Sequence, residues 1–134
     1  MMSELEQLFK GLADQTRIRI LNLLIHGELC VCSIQHVLEA TQPTVSRHLT
    51  YLKNSNLVLD RREGTRMYYR LARPAEGIHK LLFDFLQDAF KSSEVLAEDS
   101  RKLEKAIESG SSASSEWRRY SASRQSETAR SPGA

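Results

Sequence analysis

Between Leu57 and Leu71 the chain leaves helical spacing. Leu57-Val58-Leu59-Asp60-Arg61-Arg62 and Arg66-Met67-Tyr68-Tyr69-Arg70-Leu71 are two β-prone runs joined by Glu63-Gly64-Thr65. Two such runs with glycine at the joint predict a β-hairpin. On both sides of it the apolar residues recur at i, i+3 and i+4, as helices require. The fold class that follows is mainly α with one inserted hairpin, an α+β arrangement.

Ser3 to Lys10 reads as a short helix with Leu5, Leu8, Phe9 and Leu12 on one side and Gly11 as its break. Asp14 caps a second helix, Gln15 to Ile25, carrying Ile18, Leu21, Leu24 and Ile25, and His26-Gly27 ends it. Cys32 or Ser33 opens a third, with Ile34, Val37 and Leu38 inward. Thr41 caps a fourth, which has Pro43 in its first turn and runs to about Asn54. After Pro74 stops the second strand, Ala75 to about Ile107 reads as one long helix. Its apolar side exceeds what one small domain needs, which implies a partner chain.

At 134 residues the chain supports one compact domain. The reading assigns 1–108 to that domain and 109–134 to a disordered tail rich in serine and arginine, with Trp117 as an unburied aromatic. No apolar run approaches a bilayer's thickness, and the first residues lack a secretory signal, so the expectation is a cytoplasmic protein with reduced thiols and no membrane partner.

Thr41 to Arg73 holds seven basic and two acidic residues, a net +5, whereas Pro74 to Glu108 holds five basic and eight acidic, a net −3. A basic middle predicts a local surface for a polyanion. The third helix, a short turn and the fourth helix form a helix-turn-helix, and the hairpin is its wing. In Thr41-Gln42-Pro43-Thr44-Val45-Ser46-Arg47-His48-Leu49, the side chains Gln42, Thr44, Ser46, Arg47 and His48 suit base edges and the groove, while Val45, Leu49 and Leu52 face inward. Arg61, Arg62 and Arg66 flank Gly64, so the wing tip is expected to lie along phosphates.

Cys30 and Cys32, the only cysteines, stand in Glu28-Leu29-Cys30-Val31-Cys32-Ser33, about ten residues before the DNA-reading helix. At i and i+2 their sulfurs lie about 200° apart within a helix and on one face of a strand. At the junction before a helix they can converge on one soft ion. The structural alternative is a pair of buried thiols. A disulfide between them would close a very small ring.

These residues carry a resemblance. Leu12 to Leu71 resembles the ArsR/SmtB family of winged-helix metalloregulatory repressors, through Ala13-Asp14-Gln15-Thr16-Arg17-Ile18-Arg19-Ile20-Leu21, Glu28 to Cys32, Gln42 to Leu49 and Arg61-Arg62-Glu63-Gly64. The resemblance implies a homodimer that binds a palindromic operator and leaves it on binding an inducer, with no catalytic cofactor. It implies that Cys30 and Cys32 ligate As(III) or Sb(III), soft ions that thiolate selects. Some members carry a third cysteine where this chain has Gln35. An outside thiol or hydroxide then completes the site, or another residue does.

Three alternatives remain open: response to Cd, Pb or Zn, response to redox state, and DNA binding without a ligand. For zinc, His36 follows Cys32 by one helical turn, giving a Cys-Cys-His set; His26, His48 and His79 fit other roles better. A redox or arsenate-reducing enzyme would want C-x-x-C or a phosphate-type loop, and the chain has neither.

Overall fold

The computed structural model describes residues 2–73 and 76–109. Pro74, Ala75 and the tail from 110 onward, Trp117 included, lie outside the described residues, so the disordered-tail expectation is not addressed there. The elements are α1 (Met2–Leu12), α2 (Gln15–Leu24), β1 (Leu29–Cys30), α3 (Val31–Leu38), α4 (Gln42–Asn54), β2 (Val58–Glu63), β3 (Arg66–Leu71), α5 (Ile78–Ala89), a 3₁₀ turn (Phe90–Ser92) and α6 (Glu94–Glu108). Helices α3 and α4 with the β2–β3 hairpin make a winged helix-turn-helix. Gly64 turns the hairpin in the left-handed region, at φ 63°, with open space around its Cα.

The core forms where the helical stripes meet. Ile20, Leu21, Leu23 and Leu24 of α2, Ile34 and Val37 of α3, and Val45, Leu49 and Leu52 of α4 are all buried, joined by Leu57 and Leu71 from the base of the wing. Asp14 caps α2 by accepting the Arg17 N–H at 3.1 Å. Gly11 lies inside α1 instead of ending it. A Cβ there would come within 2.8 Å of Leu57 Cδ1, so glycine lets α1 approach the foot of the wing.

Two departures from the sequence reading shape the site. The hairpin is part of a three-stranded sheet, order β1-β3-β2, in which Cys30 pairs with Tyr68 and Leu29 with Tyr69. The expected long helix is broken at Phe90–Ser92, and Ser93 restarts it by accepting the Leu96 N–H at 3.3 Å. The break lets α6 fold back onto α2 and α3, burying Leu96, Leu103 and Ile107 within the chain. Asp99, buried on α6, takes both Arg19 Nε and Nη2 at 2.8 and 3.0 Å. The most exposed large apolar side chains among the described residues are Leu81 and Phe85 on the outer face of α5 and Phe9 on α1. Helix α5 leans on α1 through His79 Nδ1, 3.5 Å from Glu4 Oε1. Among the described residues, no helix is long and apolar enough to cross a membrane.

Candidate nucleic-acid interface and thiol site

Helix α4 begins after Thr41 in extended conformation, and Pro43 occupies its first turn. Thr41 supplies no side-chain cap to the backbone; its hydroxyl donates to Thr44 Oγ1 at 2.9 Å. Gln42 Nε2 donates to Ser46 Oγ at 2.8 Å, which pre-orients the amide along the outer face of the helix. Gln42 and Arg47 are exposed, Thr44 and Ser46 half-buried.

His48 departs from expectation. Its side chain is only 13% exposed, and Nδ1 lies 3.8 Å from Asp14 Oδ1 and 3.4 Å from Arg17 Nη1. The same Arg17 donates to the carbonyls of Lys10 and Gly11 and covers the Tyr51 ring at 4.1 Å. His48 thus joins a corner that fixes α1 and α2 to the reading helix, and its surroundings are protein, not groove.

The wing arginines divide. Arg62 and Arg66 are exposed and make no ion pair among the described residues. Arg61 is engaged: its Nε donates to Glu28 Oε1 at 2.8 Å, its Nη1 to Glu63 Oε2 at 2.9 Å, and its guanidinium lies 4.7 Å above the Tyr68 ring. Its guanidinium is therefore turned along the sheet toward Glu28, away from a phosphate path at the wing tip.

The cysteines meet at the start of α3. Cys30 is the N-cap, extended at φ −68° and ψ 145°, and its sulfur accepts the Cys32 N–H at 3.3 Å. The switch from extended to helical backbone between them turns both side chains the same way. The structure joins the two sulfurs as a disulfide, with Cα atoms 5.2 Å apart, inside the range such bonds use. The small ring therefore does not prevent contact. Cys30 is 3% exposed, whereas Cys32 is open to solvent.

Their surroundings are more telling than their contact. A cleft of about 350 Å³ has Cys30, Cys32 and Gln35 on one wall, Gln42 and Ser46 of α4 on the second, and Thr65, Arg66, Met67 and Tyr69 of the wing on the third. Burial first, then the Asp60 carboxylate, push the phenol of Tyr69 on the wing wall above its ordinary value. His36 is exposed and outside this lining, and among the described residues no three His, Cys, Asp or Glu side chains gather as a metal set. A zinc site of the Cys-Cys-His kind is not assembled. Two converging sulfurs at the N-terminus of a helix do fit a thiophilic ion.

The sequence reading missed Glu28 and the Met67–Tyr69 wall. An acid buried beside two cysteines was a visible signal; its partner, 33 positions away, was not.

Residues 14–59 match the family model described as bacterial regulatory protein, arsR family. The arsenic resistance transcriptional regulator ArsR2 of Pseudomonas putida is 40% identical over 97 residues, covering 71% of this chain and 82% of that protein. The arsenical resistance operon repressor of Escherichia coli K12 is 52% identical over 67 residues, 49% of this chain. The chain spans about half that repressor's length, 57%. Among solved structures, the homodimeric winged helix-turn-helix DNA-binding domain Mb0332 of Mycobacterium bovis, a possible ArsR-family transcriptional regulator, is similar at a TM-score of 0.58 and 34% identity. That likeness covers 69% of this chain and 83% of that one.

Proposed function

The chain belongs to the ArsR family of bacterial regulatory proteins, and from that premise we propose that it is a repressor that releases its operator when Cys30 and Cys32 capture trivalent arsenic or antimony. The observation that carries the proposal is the cleft in which the cysteine pair, the exposed face of α4 and the wing share walls. Gln42, Thr44, Ser46 and Arg47 read the groove from α4, and Arg62 and Arg66 hold phosphates from the wing. Residues 1–108 act as the DNA-binding and dimerisation unit, with the exposed apolar faces of α5 and α1 as the two-fold interface. The half-sites then lie on one side of the duplex, a helical turn or a multiple of it apart.

Capture proceeds at the helix start. The first-turn N–H groups favour thiolate, and Cys32 supplies the accessible sulfur that engages first. Two As–S bonds form as two oxygens leave as water with the thiol protons, and a hydroxide or an outside thiol keeps the third position. Because Cys30 also caps α3, its recruitment disturbs the turn that packs on α4.

A second reading rests on the paired sulfurs. Oxidation by a peroxide removes two electrons and two protons from the thiols and forms the bond that joins Cys30 to Cys32. Operator binding compared in reductant and in peroxide separates this from ion sensing.

The test of the main reading is operator release against As(III) concentration for the parent, Cys30→Ser and Cys32→Ser. Serine is a good N-cap, so Cys30→Ser keeps α3. Both variants are expected to bind operator like the parent and to resist release. Full release of either one overturns the sensor reading.

A further inference from the structure

Glu28 is a buried carboxylate, its side chain 10% exposed, in the segment that leads into Cys30. It reaches both strands of the wing. Oε1 lies 2.6 Å from Arg61 Nη2 and 2.8 Å from its Nε on β2, and Oε2 lies 3.7 Å from Arg70 Nη1 on β3. The pairing register sets Tyr68 opposite Cys30 on one side and opposite Arg61 on the other. Cys30, Tyr68 and Arg61 thus form one row across the sheet, and Arg61 lies on the Tyr68 ring.

We propose that the Glu28–Arg61 pair is the link that carries a change at the cysteines into the wing, and that Arg61 is a positioning residue for the wing. The proposal rests on the sensor reading above. β1 is two residues long, too short to fasten the cysteine segment to the hairpin by its ladder alone. A charge-assisted pair whose carboxylate is largely out of water, with the Arg61 side chain 36% exposed, adds a stiff tie, because separating it leaves that carboxylate in low dielectric. In extended backbone Glu28 and Cys30, at i and i+2, move as one face. A displacement of Cys30 therefore draws Glu28, Arg61 follows, and the Arg61–Glu63 contact delivers the shift to the residue before Gly64. The wing tip turns relative to α4, and base and phosphate contacts no longer fit the duplex together.

The experiment uses the full chain and three readouts: As(III) binding by thiolate charge-transfer absorbance, operator affinity alone, and operator affinity at saturating As(III). Glu28→Gln removes the buried charge while keeping the shape. It is expected to bind As(III) and, alone, operator within about threefold of the parent. The As(III)-induced loss of affinity, typically about 5–150-fold in coupled systems, should fall below about threefold. Arg61→Gln should behave alike, and the double variant should be no worse than either single one, as for two residues acting as a unit. Should Glu28→Gln melt out, Arg61→Lys decides, since it keeps the charge but not the two-pronged contact or the stacking. A folded Glu28→Gln or Arg61→Lys protein that binds As(III) and releases operator as fully as the parent overturns the proposal. A parent that binds no As(III), or is not released by it, defeats the sensor reading and this one together, and that outcome shows in the parent alone.

Discussion

Arg61 and Arg62 are neighbours in sequence and opposite in environment, which makes the salt dependence of DNA binding a sharp test of the site. Arg62 is exposed with no ion pair among the described residues, while Arg61 is held by Glu28, Glu63 and the Tyr68 ring. Each phosphate neutralised contributes about 0.9 to the slope of log affinity against log salt. A symmetric dimer presents Arg62 twice, so Arg62→Ala should flatten the slope by about 1.8. Over a fourfold rise in salt, from about 50 to about 200 mM, the affinity gap between parent and variant should then shrink about 12-fold. Arg66→Ala is expected to match it. Arg61→Gln should leave the slope near the parent's, because its charge is already spent on protein carboxylates. The assay is fluorescence anisotropy on labelled operator and on random duplex at four or five salt concentrations. Equal flattening by Arg61→Gln and Arg62→Ala would refute the division of the wing drawn from the contacts.

Asp99→Asn should destabilise the domain by about 2–3 kcal/mol, below the usual range for a broken buried pair because Arg19 keeps 24% of its side chain in water; urea unfolding of the two proteins measures it. Asp14→Ala removes the cap of α2 and should cost about 1 kcal/mol at neutral pH. Burial alone would raise the Asp14 pKa, but the Arg17 N–H and the His48 and Arg17 charges outweigh it and hold the carboxyl below its ordinary value. The cap's stabilisation is thus fully present above the unfolded carboxylate pKa and is lost as pH falls through the lowered folded one, so melting curves of parent and variant should converge only in strong acid.

The helix-turn-helix and wing were legible because each rests on local chemistry: Pro43 after Thr41, the 45-49-52 stripe, and glycine where the hairpin turns. The convergence of the cysteines was legible for the same reason, since it depends only on where α3 starts. The inward turn of His48 was written in the spacing too. Residues 45, 48, 49 and 52 fall at i, i+3, i+4 and i+7, so His48 shares the core stripe. The break after Phe90 had its signal in Ser92-Ser93 followed by Glu94, a helix start inside an apolar pattern that otherwise reads straight through. The Glu28–Arg61 pair and the docking of α6 by Asp99 had none, because their partners stand 33 and 80 positions apart.

Magnitudes indicate how little has to move for release. In the proposed sensor Cys30 has two duties that exclude each other, since its buried sulfur accepts the Cys32 N–H as a cap and would also have to ligate the ion. A lost N-cap costs about 1 kcal/mol. Off the operator, fraying of the first turn of α3 relieves that cost. In the proposed operator complex, base and phosphate contacts would pin α4 and the wing, and α3, packed on α4 and tied to the wing through Glu28 and Arg61, would have no room to fray. The difference between the two states is what an inducer can use. One site at about 1 kcal/mol weakens binding about fivefold, and two equivalent sites in a dimer about 30-fold, already inside the usual range of coupling. That coupling needs the pinned wing to hold the cysteine segment through Glu28 and Arg61, so Glu28→Gln, which lets α3 fray on the operator as well as off it, should keep release below about threefold.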